Sequence, residues 1–166
     1  MKTRVEKMII AAMMASLICV ATMLIKIPTS FGYVNLGDCF VLLAGWVLSP
    51  LYGFCAASIG SALADIFSGY TLYAPVTFII KGLMAVIAFY GFKVLENKSG
   101  ELLSGIMSGT VAEILMILGY FLFEGILYGF VPSAANIPFN AVQGVVGLIL
   151  GILLVKLFRK NSFFKH

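Results

Sequence analysis

Apolar runs long enough to cross a bilayer follow one another through this sequence, beginning with Met8 to Ile25. That pattern fixes the solvent before it fixes the fold. A spanning helix needs about 20 residues, so 166 residues hold roughly six passes joined by short loops. A soluble domain carries about 25% charged residues. Here the share is 11%, against 61% hydrophobic, with a mean hydropathy of +1.08. A chain this short keeps much of its surface exposed to solvent, and water would punish so apolar a surface. The expected fold is an all-α membrane protein, one domain over 1–166, with no separate soluble part.

Helix punctuation divides the chain. The first run ends at Lys26 and Pro28, and residues 28–37 carry the Pro, Gly and Asn of an ordered loop. The second helix starts at Asp38, a residue suited to a helix N-terminus and its positive dipole end. Ser49-Pro50 closes it near Leu48, because Pro breaks a helix interior but suits a helix start. A third helix then runs from Pro50 to Phe67. A turn at Ser68-Gly69-Tyr70 leads to a fourth, Pro75 to Leu95. The polar stretch Glu96 to Glu101 separates it from a fifth, Leu102 to Phe123. An apolar loop, Gly125 to Pro138, precedes a sixth, Phe139 to Phe158. The basic N-terminus and its apolar run lack a small-x-small cleavage pattern, so the first segment is expected to stay as a helix.

Lysine and arginine placement gives an orientation. Lys2, Arg4, Lys7, Lys93, Lys98, Lys156, Arg159, Lys160 and Lys165 share one side of a six-helix layout, and only Lys26 and Lys81 fall elsewhere. Six transmembrane helices with both termini cytoplasmic satisfy that bias. Loops 28–37, 68–74 and 125–138 then face outward. The net charge of +4 sits at the termini and one loop without aromatic interleaving, which argues against nucleic acid. Cys19, Cys39 and Cys55 are too scattered for a metal or disulfide framework. The single histidine is His166, so a zinc site or a histidine triad is not expected. No P-loop, GxSxG or HExxH occurs. Neither an enzyme nor a resident cofactor is expected.

Charges within a bilayer are costly and point to function. Lys81 falls roughly 9 Å below the outer end of helix four at 1.5 Å per residue. Glu113 is near the middle of helix five, with Asp65 and Glu124 near the outer ends of helices three and five. Asn136, Asn140 and Gln143 are spaced to share one face of helix six. Polar groups thus converge on the outer half, which suggests a small polar ligand captured from outside. Lys81, Glu113, Asn140 and Gln143 are the candidate binders, with Lys81 offering a cation to a ligand oxygen. The competing reading makes Lys81 a structural partner of Glu113 or Asp65, or a residue reaching for the surface. The outer aromatics (Phe31, Tyr33, Tyr70, Tyr73, Tyr120, Phe123, Tyr128 and Phe130) suit either an interfacial belt or stacking on a flat heterocycle. Phe31, Tyr33 and Asn35 lie in the 28–37 loop, which can close over a pocket as a lid. Small residues recur at helical spacing as Ala11/Ala15, Ala56/Gly60/Ala64, Gly105/Gly109 and Gly147/Gly151. Such stripes let helices approach closely.

The stretch from Gly32 to Gly45, with Leu48-Ser-Pro-Leu-Tyr-Gly53, Gly60-Ser-Ala-Leu-Ala-Asp65, Gly69-Tyr70 and Ala74-Pro-Val-Thr-Phe-Ile-Ile-Lys-Gly82, resembles the S components of energy-coupling factor (ECF) vitamin transporters. It looks closest to the riboflavin, hydroxymethylpyrimidine and pyridoxine branch. The resemblance implies six helices, cytoplasmic termini, a vitamin pocket near the outer face and a gating loop at about 28–37. It also implies that Ala11 and Ala15 meet a transmembrane coupling subunit, which works with two ATPase subunits at the plasma membrane. Riboflavin, thiamine, hydroxymethylpyrimidine and pyridoxine all suit such a pocket, and the short outer loops favour a pyrimidine or pyridine. A stand-alone small transporter or channel is the alternative, which inverted repeats would favour.

Overall fold

A computed structural model describes residues 3–29 and 32–160, and the side chains up to residue 157. Helix α1 (Arg4–Leu24) begins earlier than its apolar run because Thr3 and Glu6 form a reciprocal cap. The Thr3 hydroxyl accepts from the Glu6 amide, and the Glu6 carboxylate accepts from the Thr3 amide. The expected loop after α1 contains a short antiparallel hairpin, β1 (Lys26–Pro28) with β2 (Tyr33–Asn35), in the register Ile27 opposite Val34. Helix α2 (Gly37–Val47) follows at once, and Pro50 starts α3 (Pro50–Phe67).

Helix α4 (Ala74–Tyr128) covers 55 residues as two helical arms that meet at Gly100, whose φ of +75° is left-handed backbone that glycine adopts without penalty. Its arms, 74–99 and 101–128, lie antiparallel against each other. Thr77 Oγ1 and Tyr120 Oη are 3.0 Å apart near the open end. A Cβ on Gly119 would stand 2.7 Å from Ile80 Cδ1, and one on Gly91 2.9 Å from Ser108 Cβ, nearer the reversal. The region expected as an apolar loop after 124 is instead helical to Tyr128. It turns at Gly129, forms the short α5 (Phe130–Ala134) and enters α6 (Ile137–Lys160).

Among the described residues, α1, α3, α4 and the stretch Phe130–Leu157 are long and apolar enough to cross a membrane, while α2 is a shorter apolar helix. Their outward faces carry large apolar side chains such as Leu24, Ile126 and Val131, the reverse of a soluble surface. Inside, Leu42, Leu43, Met84 and Met116 are fully buried. The Trp46 indole N–H donates to Ser108 Oγ at 3.0 Å, so its polar atom is satisfied within the core. One end of the bundle gathers the β-hairpin and the 68–74 and 129–136 connections. The other holds the start of α1, the α2–α3 turn and the reversal at Gly100.

The small-residue stripe of α3 packs on α1: Ala56 and Ala64 are buried, and a Cβ on Gly60 would meet the Ala15 carbonyl oxygen at 2.4 Å. Ala15 therefore faces α3, and Ala11 belongs to the buried core. Both residues expected to meet a coupling subunit thus lie on the packed side of α1, and Ala12 and Ser16, one position on, are exposed.

Candidate functional site

The hairpin end of the bundle holds a half-open cleft with about 390 Å³ of free space, open solvent included. Its aromatic wall is built from Tyr33 on β2, Tyr70 and Tyr73 in the turn before α4, and Tyr120 on the second arm of α4. The rings support one another: Tyr33 and Tyr70 have centroids 4.8 Å apart, and Tyr73 meets Phe123 edge-on at 5.3 Å. These aromatics are a pocket lining as well as an outer cluster, because the hairpin folds Tyr33 back over α3. The Tyr33 hydroxyl donates to Asp65 Oδ1 at 2.6 Å. Burial, followed by the Asp65 charge and hydrogen bond, pushes the Tyr33 phenol above its usual value, so it remains a donor.

The polar wall comes from Asn35, Asp65, Glu124, Asn136, Asn140 and Gln143. Asn136 Nδ2 donates to both Glu124 oxygens, at 2.8 and 3.0 Å. That leaves buried acceptors to spare. Asp65 Oδ2 and Asn136 Oδ1 have no hydrogen-bond partner among the described residues. Buried polar atoms ordinarily find partners, so these two acceptors suit a ligand that donates. The wall carries two carboxylates and no lysine or arginine.

The predicted binders separate into two layers. Tyr33, Asn35, Asn140 and Gln143 line the cavity. Lys81 and Glu113 are buried but absent from its lining. The Lys81 ammonium forms an ion pair with Asp38 and faces the Tyr120 ring, 5.6 Å from its centroid. The charge expected to meet a ligand oxygen is thus paired within the protein, by Asp38. Asp38 in turn is no helix cap. It is wholly buried in the first turn of α2, and its second oxygen accepts from Gln143 Nε2 at 2.6 Å. Glu113 lies against α6 where Gly144 and Gly147 leave room, and both its oxygens lack partners among the described residues. Phe31 lies outside the described residues. The sequence marked Asp38 only as a helix start, and gave Tyr70, Tyr73 and Tyr120 an interfacial belt or stacking as their roles. A depth count would have helped with Asp38, since a lysine inside lipid requires a counter-charge.

Comparison with known proteins comes from three directions. The family described as ECF-type riboflavin transporter, S component, matches residues 2–160. An uncharacterised protein from the gap 3′ region of Pyrococcus woesei is 38% identical over 136 residues, 81% of this chain and 88% of that one. The riboflavin transporter RibU of Staphylococcus aureus (strain TCH60) is 27% identical over 180 aligned positions, covering 97% of this chain and 94% of that protein. Among solved structures, the S component of a bacterial ECF transporter superposes with a TM-score of 0.68 at 25% identity, over 95% of this chain and 98% of that one. The S component for biotin from an ECF-type ABC transporter gives a TM-score of 0.77 at 19% identity, over 99% and 97% of the two chains, a likeness of fold.

Proposed function

The chain belongs to the family of ECF-type riboflavin transporter S components, and from that premise we propose that its cavity captures riboflavin in unphosphorylated form. One observation carries the choice of ligand: a tyrosine-lined cavity whose wall holds two buried acceptors, Asp65 Oδ2 and Asn136 Oδ1, without donors of their own. Riboflavin matches both halves. Its flat tricyclic ring stacks on aromatic faces, and its imide N–H and ribityl hydroxyls donate. A phosphate brings acceptors and negative charge to a wall that already carries Asp65 and Glu124, so flavin phosphates suit it less. This reading sets aside the lean towards a pyrimidine or pyridine.

In the same proposal the chain crosses the plasma membrane six times, with the two arms of α4 as separate passes and α2 as a short one. Both termini and the Gly100 reversal face the cytoplasm, where the basic residues concentrate. The cavity opens outward. Tyr33, Asn35, Asn140 and Gln143 contact the vitamin, while Lys81 and Glu113 act from the layer beneath. Transport itself falls to a transmembrane coupling subunit and two ATPase subunits, consistent with a sequence that holds no P-loop.

Quenching of riboflavin fluorescence by the detergent-purified chain tests the reading, with mass spectrometry of the ligand that co-purifies. Saturable 1:1 quenching is expected, with Asp65→Ala and Asn136→Ala each weakening affinity about fivefold to tenfold. Retention of a cationic vitamin such as thiamine, with no riboflavin quenching, would assign the two carboxylates to a cation instead. Vitamin uptake by liposomes containing the chain alone would favour a stand-alone carrier.

A further inference from the structure

Two buried charges off the cavity wall fix which atoms the wall presents. Asp38 Oδ1 pairs with the Lys81 ammonium, and Asp38 Oδ2 accepts from Gln143 Nε2 at 2.6 Å. Gln143 Oε1 accepts from the Asn35 backbone N–H at 2.9 Å and from Asn35 Nδ2 at 3.4 Å. Asn35 Oδ1 accepts from the Gly37 N–H at 2.8 Å. The chemistry leaves the Gln143 amide one orientation. A carboxylate paired with an ammonium can only accept, and a backbone N–H can only donate. Gln143 must point its NH₂ at Asp38 and its oxygen at Asn35, which leaves one amide hydrogen for the cavity.

We infer that Lys81 and Asp38 are positioning residues that hold the β-hairpin shut over the ligand by orienting Gln143. The ion pair spans α2 and α4, Gln143 carries its direction across to α6, and Asn35 delivers it to β2. That places the mouth of the cavity under the control of a buried charge pair, with no contact between either charge and the ligand. The ligand half of this inference rests on the riboflavin reading; the hairpin half does not.

The test uses the full chain in detergent, with two readouts. One is hydrogen exchange of the 33–37 backbone amides without ligand; the other is the riboflavin dissociation rate. Asp38→Leu/Lys81→Met removes both charges without orphaning either, a replacement that buried ion pairs commonly tolerate. Exchange at Asn35 and riboflavin dissociation should both rise about tenfold, the weight of a lost charge-assisted hydrogen bond. Ile18→Ala, a core truncation in α1, should leave 33–37 exchange unchanged relative to α3. If the double variant does not fold, the near-isosteric Asp38→Asn/Lys81→Met keeps Gln143 but no longer fixes its direction, because an amide can face it with either its oxygen or its NH₂, and should raise 33–37 exchange likewise. Unchanged exchange at Asn35 in whichever of the two folds overturns the inference. Failure of the unmodified chain to bind riboflavin would refute the ligand reading, and the exchange measurement would still decide the hairpin claim.

Discussion

Gly147→Ala puts the packing of α6 to a quantitative test. A Cβ at Gly147 would stand 2.8 Å from Asp38 Cβ and 3.2 Å from Glu113 Oε1. The first contact is the serious one, because Asp38 Cβ is bonded to the backbone of α2 and cannot swing away. Ordinary contact begins near 3.4 Å, so α6 must retreat from α2 by about 0.6 Å or tilt. Overpacking of that kind costs about 1–3 kcal/mol. Alanine returns up to about 1 kcal/mol as a better helix former than glycine. With that full offset the net expectation is a loss of up to about 2 kcal/mol, together with a stretched Gln143–Asp38 bond one turn away. Gly105→Ala is the matched control. It belongs to the other GxxxG stripe, yet a Cβ there meets nothing closer than 3.9 Å. It should therefore gain about 0.5–1 kcal/mol. Denaturant titration of both variants in one detergent, followed by Trp46 fluorescence, gives the comparison. Equal stabilisation by the two alanines would refute the close approach of α6 to α2, and with it the geometry of the buried network.

Two further outcomes follow from the same network and its lid. Lys81→Met alone strands the fully buried Asp38 carboxylate and should cost about 3–5 kcal/mol in denaturant titration, most of it recovered by adding Asp38→Leu; a single-variant cost under about 1 kcal/mol would disprove the pairing. Tyr33 has a phenol held above its ordinary value of 10.0 by burial and by Asp65. The folded chain therefore binds that proton more tightly than the unfolded one, so this contribution is complete below about pH 10 and drains away as pH climbs past it. Tyr33→Phe should lose stability less steeply above pH 10 than the unmodified chain in thermal unfolding, and parallel slopes would count against the Tyr33–Asp65 contact.

Helix positions were readable because hydropathy and proline act locally. Pro50 and Phe67 bound α3 as expected, and the polar stretch 96–101 contains the reversal of α4. The β-hairpin escaped notice because two strands of three residues are too short to show an alternation. The 125–138 stretch misled through its prolines: Pro132 and Pro138 both occupy early positions of helices, where proline is tolerated. At the site, the search for polar residues inside apolar helices picked out Asn140 and Gln143, which line the cavity. What the sequence could not show is pairing. Asp38 and Lys81 are 43 positions apart, and Asp38 and Gln143 are 105 apart. Only the bundle decides that Lys81 meets Asp38 rather than Glu113.

The reversal at Gly100 offers a practical opening. It turns the chain in a single residue, and no side or main chain crowds the space beside it. Extra residues spliced there would hang from the end of the bundle farthest from the cavity, where loop insertions are best tolerated. A fluorescent reporter grafted at that seam would let the proposed ligand capture be followed in whole cells without touching the cavity wall.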